Sequence, residues 1–187
     1  MRVVMFGPPG AGKGTQAVRL AQRAKVAHIA SGDLFRENVG SDTELGRLAK
    51  TYMDRGDLVP DEVTIRMVLD RMDRADAAGG YVLDGFPRNE VQAAALDDAL
   101  SGRGETIEYA VLLECQREEL LRRLVGRAKA EGRADDAPAV ADERLRVYDE
   151  QTMPLVNYYE NQGKLRRLNG EQPMDCVTDN LCEAIGA

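Results

Sequence analysis

Residues 2–23 constrain this chain more than any other segment. Arg2-Val3-Val4-Met5-Phe6 reads as a short buried strand, and Gly7-Pro8-Pro9-Gly10-Ala11-Gly12-Lys13-Gly14-Thr15 as a glycine-rich loop. The stretch through Arg23 reads as an amphipathic helix with Val18, Leu20 and Ala21 toward the core. A strand, a G-x-x-x-x-G-K loop and a helix in succession form the context in which a triphosphate is cradled. The glycines let backbone N–H groups turn inward, and the helix N-terminus adds partial positive charge beneath the anion. Lys13 then acts as a point charge on the β- and γ-phosphates. In the general pattern the lysine is followed by Ser or Thr, whose hydroxyl holds Mg²⁺. Here Gly14 follows it and Thr15 comes one place later. A ligand-free glycine turn is the bland alternative, and the flanking strand and helix argue against it.

The rest of the chain alternates in the same way. Short apolar runs at Val3–Phe6, Ala27–Ala30, Tyr81–Leu83, Tyr109–Leu113 and Leu165–Leu168 predict strands. Helical periodicity marks 13–24, 43–54, 61–77, 89–100, 116–127, 138–161 and 174–185. Alternation of this kind predicts an α/β fold with a mainly parallel sheet and right-handed crossovers. Two segments break the rhythm. Residues 30–60 hold two helical stretches, too much for a simple crossover, and residues 128–137 are a polar stretch between helices. Both read as mobile excursions at the ligand end of the sheet.

Composition narrows the partners. At 187 residues the chain suits one domain that buries about 70% of its unfolded surface. A net charge of −7 argues against nucleic acid or an anionic membrane as partner. Yet only five of the 25 basic residues are lysines, and Arg is the residue suited to bidentate phosphate contact. Cys115, Cys176 and Cys182 form no C-x-x-C pair and are odd in number, which suggests neither a disulfide framework nor a zinc site. With the first strand starting at Arg2 and no long apolar run, a cytoplasmic location is expected.

The second strong signal is Tyr81-Val82-Leu83-Asp84-Gly85-Phe86-Pro87-Arg88. A strand ends in Asp84, the place for an acid near Mg²⁺, and a turn at Gly85 and Pro87 then presents Arg88. With Gly7–Thr15, Ser31-Gly32-Asp33-Leu34-Phe35-Arg36, Leu58-Val59-Pro60-Asp61-Glu62 and Gly132-Arg133-Ala134-Asp135-Asp136, this makes five motifs in one order. Together they resemble the nucleoside monophosphate kinase family, and within it the adenylate kinases with a short lid, over essentially the whole chain.

The resemblance implies a P-loop NTPase-type three-layer fold, a five-stranded parallel sheet with helices on both faces. The core would be 1–29, 60–125 and 137–187, with a helical NMP-binding insertion at 30–59 and a short lid at 126–136. It implies reversible γ-phosphoryl transfer from MgATP to AMP, giving two ADP, in adenine nucleotide homeostasis and AMP salvage. The protein would be a monomer. Gly10, Ala11, Gly12, Lys13, Gly14 and Thr15 would wrap the ATP phosphates, with Arg123 near the ATP adenine and the backbone of Gln172 touching the base. Ser31, Arg36, Asp57, Val59, Gly85 and Arg88 would hold AMP, and Gln92 would read its adenine edge. Arg127, Arg133 and Arg144 would close on the phosphates, so that Lys13, Arg88 and these three carry the catalysis. Asp84 would act on Mg²⁺ through water.

Local reading agrees in part. Ser31 is a good N-cap. Arg123 and Arg127 lie four apart on one helix face, whereas Arg117 and Arg122 read as solvated. His28, the only histidine, reads as packing, as do Tyr148, Tyr158 and Tyr159 on a long helix. No nucleophile with a partner base is evident, and an anionic phosphate acceptor needs none. Ser31 and Gln92 favour adenine over the runner-up, a UMP/CMP kinase. A nucleotide switch is disfavoured by Gly14 and by the lack of an N-K-x-D segment. Residues 30–59 and about 126–136 are expected to move inward on binding and exclude water.

Overall fold

The computed structural model describes residues 1–132 and 134–187, with the Ala134 side chain left aside. Five strands form one parallel sheet: β1 (Arg2–Phe6), β2 (Ala27–Ala30), β3 (Tyr81–Asp84), β4 (Tyr109–Glu114) and β5 (Leu165–Asn169), in the order β2-β3-β1-β4-β5. Residues on the central strands alternate between two cores. Val4, Phe6, Leu83 and Leu112 join one cluster with Leu96, Leu100 and Tyr159. Val3, Met5, Val82, Val111 and Leu113 join another with Leu20, Leu120, Leu181 and Ile185. Both faces are covered, which is why these strands read as continuous apolar runs rather than alternating ones.

Nine α-helices pack around the sheet among the described residues: α1 (Lys13–Ala24), α2 (Ser31–Gly40), α3 (Glu44–Met53), α4 (Asp61–Met72), α5 (Glu90–Ser101), α6 (Arg117–Glu131), α7 (Pro138–Val147), α8 (Leu155–Glu160) and α9 (Met174–Ile185). None is long and apolar enough to cross a membrane. The strand order reverses at β1, so the crevice beyond its carboxyl end is where ligands bind in open sheets of this kind. The glycine loop leaves β1 there, beside Asp84 at the end of β3 and Ser31 just past β2.

Four expectations are corrected. Val18 is 39% exposed, because the buried stripe of α1 runs through Ala17, Leu20 and Ala21 and takes in Gln16 instead. The Gln16 amide donates to the Met174 carbonyl (3.0 Å) and accepts from the Thr178 hydroxyl (2.8 Å), so a polar pair ties α1 to α9. Helix α4 ends at Met72 and is followed by a separate 3₁₀ turn at Ala75–Ala77. Helix α6 continues to Glu131, so the first part of the predicted polar excursion is helical. The single helix predicted over 138–161 is instead α7, a π-helical turn at Tyr148–Thr152, and α8 after Pro154. Proline has no N–H to continue the ladder.

Helices α2 and α3 cross within residues 30–59 over a small core of Phe35, Ala49 and Val59. Thr43 caps α3 by accepting from the Gly46 N–H (2.9 Å), and its hydroxyl meets Asn38 Oδ1 (2.9 Å). A β-carbon on Gly46 would stand 2.1 Å from the Asn38 carbonyl oxygen. Gly46→Ala is therefore expected to lower unfolding stability by ~1–3 kcal/mol, the usual cost of overpacking. An unchanged denaturant midpoint would contradict that close crossing.

Candidate active site

The loop that leaves β1 is held in shape by its glycines. Gly7 (φ 142°) and Gly10 (φ 88°) adopt backbone angles that side chains avoid. A β-carbon on Gly7 would strike the Leu113 carbonyl at 2.5 Å. Lys13 turns back over the loop and donates to the carbonyls of Gly7 (2.8 Å) and Pro8 (2.9 Å). Burial, with Arg88, Arg144 and Arg127 nearby and Asp84 opposing, brings its pKa down to about 7.

Gly14 has a structural reason. Its β-carbon would lie 3.3 Å from Asp84 Oδ2, tighter than nearly all real contacts, so the glycine makes room for the carboxylate at the end of β3. His28 projects from β2 into the same cleft, with Nε2 3.9 Å from Asp84 Oδ2; it lines the site rather than the core. Among the described residues no three of His, Cys, Asp and Glu converge as metal ligands. Asp84 shares the cleft with Asp33 and Glu131, and its place at the end of β3 beside the glycine loop would suit a cation carried on phosphate oxygens.

Two neighbouring cavities lie over the sheet ends. The larger, of 620 Å³, is lined by Gly10, Ala11, Gly12, Lys13, Gly14, Thr15, Asp84, Gly85, Arg123, Arg127 and Gln172. A smaller one of 60 Å³ is lined by Ser31, Asp57, Val59 and Gln92. Arg36, Arg88 and Arg144 line both, so these arginines mark the seam. The structure thus brings together every sequence-predicted site residue except Arg133, which lies outside the described residues.

Individual placements refine the expectations. Ser31 is the first helical residue of α2 rather than its cap, and its buried hydroxyl donates to the Gly85 carbonyl (2.7 Å), joining β2's end to β3's. The same carbonyl accepts from Arg88 Nε (2.8 Å). Arg88 is desolvated beside Arg144, and its pKa is lowered to about 10. Arg36 pairs with Asp33 (2.5 Å). Arg123 donates to Glu119 (2.6 Å) and to the Gly170 carbonyl (2.9 Å), tying α6 to the loop after β5. The Gln172 side chain accepts from Asn180 (2.7 Å). Arg117 and Arg122 are exposed and pair with Asp142 and Glu119, as read.

Sequence reasoning missed the carboxylates that hold the arginines. Asp136 is fully buried and takes both a two-pronged contact from Arg127 (2.5 and 2.7 Å) and a bond from Arg144 (2.7 Å). Arg144 also meets Asp135 (3.0 Å). Their presence inside the quoted Gly132–Asp136 motif was the available signal. Thr152 was missed entirely. The π-helical turn brings its hydroxyl to the Arg88 carbonyl (2.7 Å).

A parallel sheet with a glycine loop at its switch point and a cluster of half-buried arginines defines a P-loop phosphotransferase of the nucleoside monophosphate kinase type. The family model for adenylate kinase matches residues 5–164. The chain is 48% identical to the adenylate kinase of Thermobifida fusca, over 99% of this chain and 98% of that protein. It is 44% identical to that of Lachnospira eligens, over the full length of both. The adenylate kinase of Stenotrophomonas maltophilia is also 44% identical over both full lengths. The chain belongs to the adenylate kinase family.

Thr152→Val removes the side-chain donor from the part-buried Arg88 carbonyl. It is expected to lower stability by ~1–3 kcal/mol in chemical denaturation, and Thr152→Ser to recover most of that. Equal stability of wild type and the valine variant would contradict the assigned bond.

Proposed function

We propose that this chain moves the γ-phosphoryl group of MgATP to AMP, giving two ADP, and so serves adenine nucleotide homeostasis and AMP salvage. The observation that carries this reading is the seam: Arg36, Arg88 and Arg144 face two cavities at once, where donor and acceptor phosphates must meet. Gly10–Thr15 would wrap the donor phosphates, with Arg123 and Gln172 at the donor base. Ser31, Arg36, Asp57, Val59, Gly85 and Gln92 would take the acceptor. Mg²⁺ bound with the nucleotide would supply charge neutralisation on its phosphates, and Asp84 would hold it through water.

In the transfer, the bond from the γ-phosphorus to the β–γ bridging oxygen breaks and a new bond forms to an AMP phosphate oxygen. That oxygen is already anionic, so no base has to remove a proton. The protein's part is alignment and electrostatic support of spreading charge. Lys13, Arg88, Arg127, Arg133 and Arg144 supply it. Triphosphate would replace the loop carbonyls as partner of Lys13 and restore its proton.

Residues 30–59 act as the NMP-binding unit and 126–136 as a short lid on a core of 1–29, 60–125 and 137–187. Support comes from the smaller cavity. At 60 Å³ it is far below the ~300–1,000 Å³ of small-ligand pockets, and a β-carbon on Gly56 would lie 3.1 Å from the Val140 carbonyl of α7. The insertion is folded down on the core and must open for a nucleotide to enter. Closure then keeps water from the γ-phosphate. A monomer in the cytoplasm completes the reading, and the three free thiols suit a reducing compartment.

A panel of AMP, UMP, CMP, GMP and dAMP with MgATP, followed by ADP formation, tests the assignment. AMP is expected to be the preferred acceptor; turnover no better than with UMP or CMP would refute it. Arg88→Ala should remain folded and lose ~10²–10³-fold in kcat, by analogy with the loss of one transition-state donor. Near-normal turnover would take Arg88 out of the site.

A further inference from the structure

Gln92 is 1% exposed, in the first turn of α5, and both ends of its amide are engaged. Its Oε1 accepts from the Arg88 N–H (2.8 Å) and its Nε2 donates to Asp61 Oδ1 (2.7 Å). The neighbouring Asn89 is fixed in the same sense. Its Oδ1 accepts from the Gln92 N–H (2.9 Å), which leaves its Nδ2 to donate to Asp61 Oδ1 (2.9 Å). Asp61 opens α4 just after Pro60, so the carboxylate reaches across from the end of the insertion to the start of α5.

The polarity of this cluster cannot be reversed. A backbone N–H only donates, and a carboxylate only accepts. Turning the Gln92 amide over would set NH₂ against N–H and oxygen against carboxylate. A carboxamide is otherwise ambivalent, since its two ends differ little in shape but are opposite in hydrogen-bonding sense. Held this way, Gln92 keeps one lone pair on Oε1 and one hydrogen on Nε2 for whatever occupies the cavity it lines. A 6-aminopurine offers the matching edge, an N6–H donor beside the N1 acceptor. A 6-oxopurine offers the reverse, an O6 acceptor beside an N1–H donor, and would need the amide turned over.

We propose that Asp61 is a specificity-positioning residue, whose carboxylate locks Gln92 in the one orientation that reads a 6-aminopurine monophosphate and rejects a 6-oxopurine. This rests on the reading of the smaller cavity as the AMP site. Asp61 touches no substrate in this scheme; it acts through Gln92.

The test compares kcat/KM for AMP and IMP with MgATP in wild type, Asp61→Ala and Asp61→Asn, each checked for folding by circular dichroism. Asp61→Ala is expected to lower the AMP-to-IMP ratio by about tenfold or more, the scale of one bidentate base contact. Asp61→Asn keeps an acceptor oxygen and should recover most of the ratio. A merely structural role would reduce both substrates in parallel. An unchanged ratio in Asp61→Ala, in a protein whose wild type prefers AMP, overturns the inference. A wild type that uses UMP or CMP as well as AMP overturns the underlying reading instead. Should Asp61→Ala not fold, Asp61→Ser carries the same test, because a hydroxyl serves either end of the amide; an unchanged ratio there overturns the inference equally.

Discussion

Four half-buried cations crowd one cleft in a chain whose net charge is −7, and most of the local architecture answers that fact. Lys13 is held down to about 7 and Arg88 to about 10, each first by burial and then by charged neighbours that include Arg144. Burial also lowers Arg144, whereas Asp136 raises Arg127. Asp84, Asp135 and Asp136 offset part of the repulsion, and the Gly7, Pro8 and Gly85 carbonyls take up donors. What remains is a cleft with an excess of positive charge. The sign follows for Lys13. Between about 7 and 10.5 the unfolded chain holds a proton that the folded chain has shed, so stability rises with pH across that window. A bound anion would reverse the preference.

The sheet makes this concentration of charge possible. Its strand order places the carboxyl ends of β1, β2 and β3 side by side, so that the glycine loop, Ser31 and Asp84–Arg88 converge although they are far apart in sequence. Gly14 and Asp84 then fit together as a pair: a β-carbon on Gly14 would stand 3.3 Å from the carboxylate. An absent hydroxyl after the lysine is thus the counterpart of a strand-end acid one strand away.

Much of this was legible in the residues. The five apolar runs, the glycine loop and the Asp84–Arg88 turn carry their own signals, because strand burial and positive-φ glycine leave local marks in sequence. Partners reached through tertiary contact left none. Thr152 is an ordinary polar residue in a helical stretch until a π-helical turn brings it to the Arg88 carbonyl. Asp61 sat inside a recognised motif, yet its bond to Gln92 spans 31 positions and depends on where α4 meets α5. Val18 was misplaced because an apolar residue on a helix says nothing about which wall faces a solvent-filled cleft.

The excess of positive charge around Lys13 can be read directly by following its side-chain ammonium by nitrogen-15 NMR as pH is raised. A pKa near 7 is predicted for the free protein, moving up by at least about two units once MgATP fills the cleft, since an opposing charge within hydrogen-bonding distance shifts a buried group by that much. A free-protein value near the ordinary 10.5, unmoved by nucleotide, would contradict a desolvated cation cluster as the organising feature of the site.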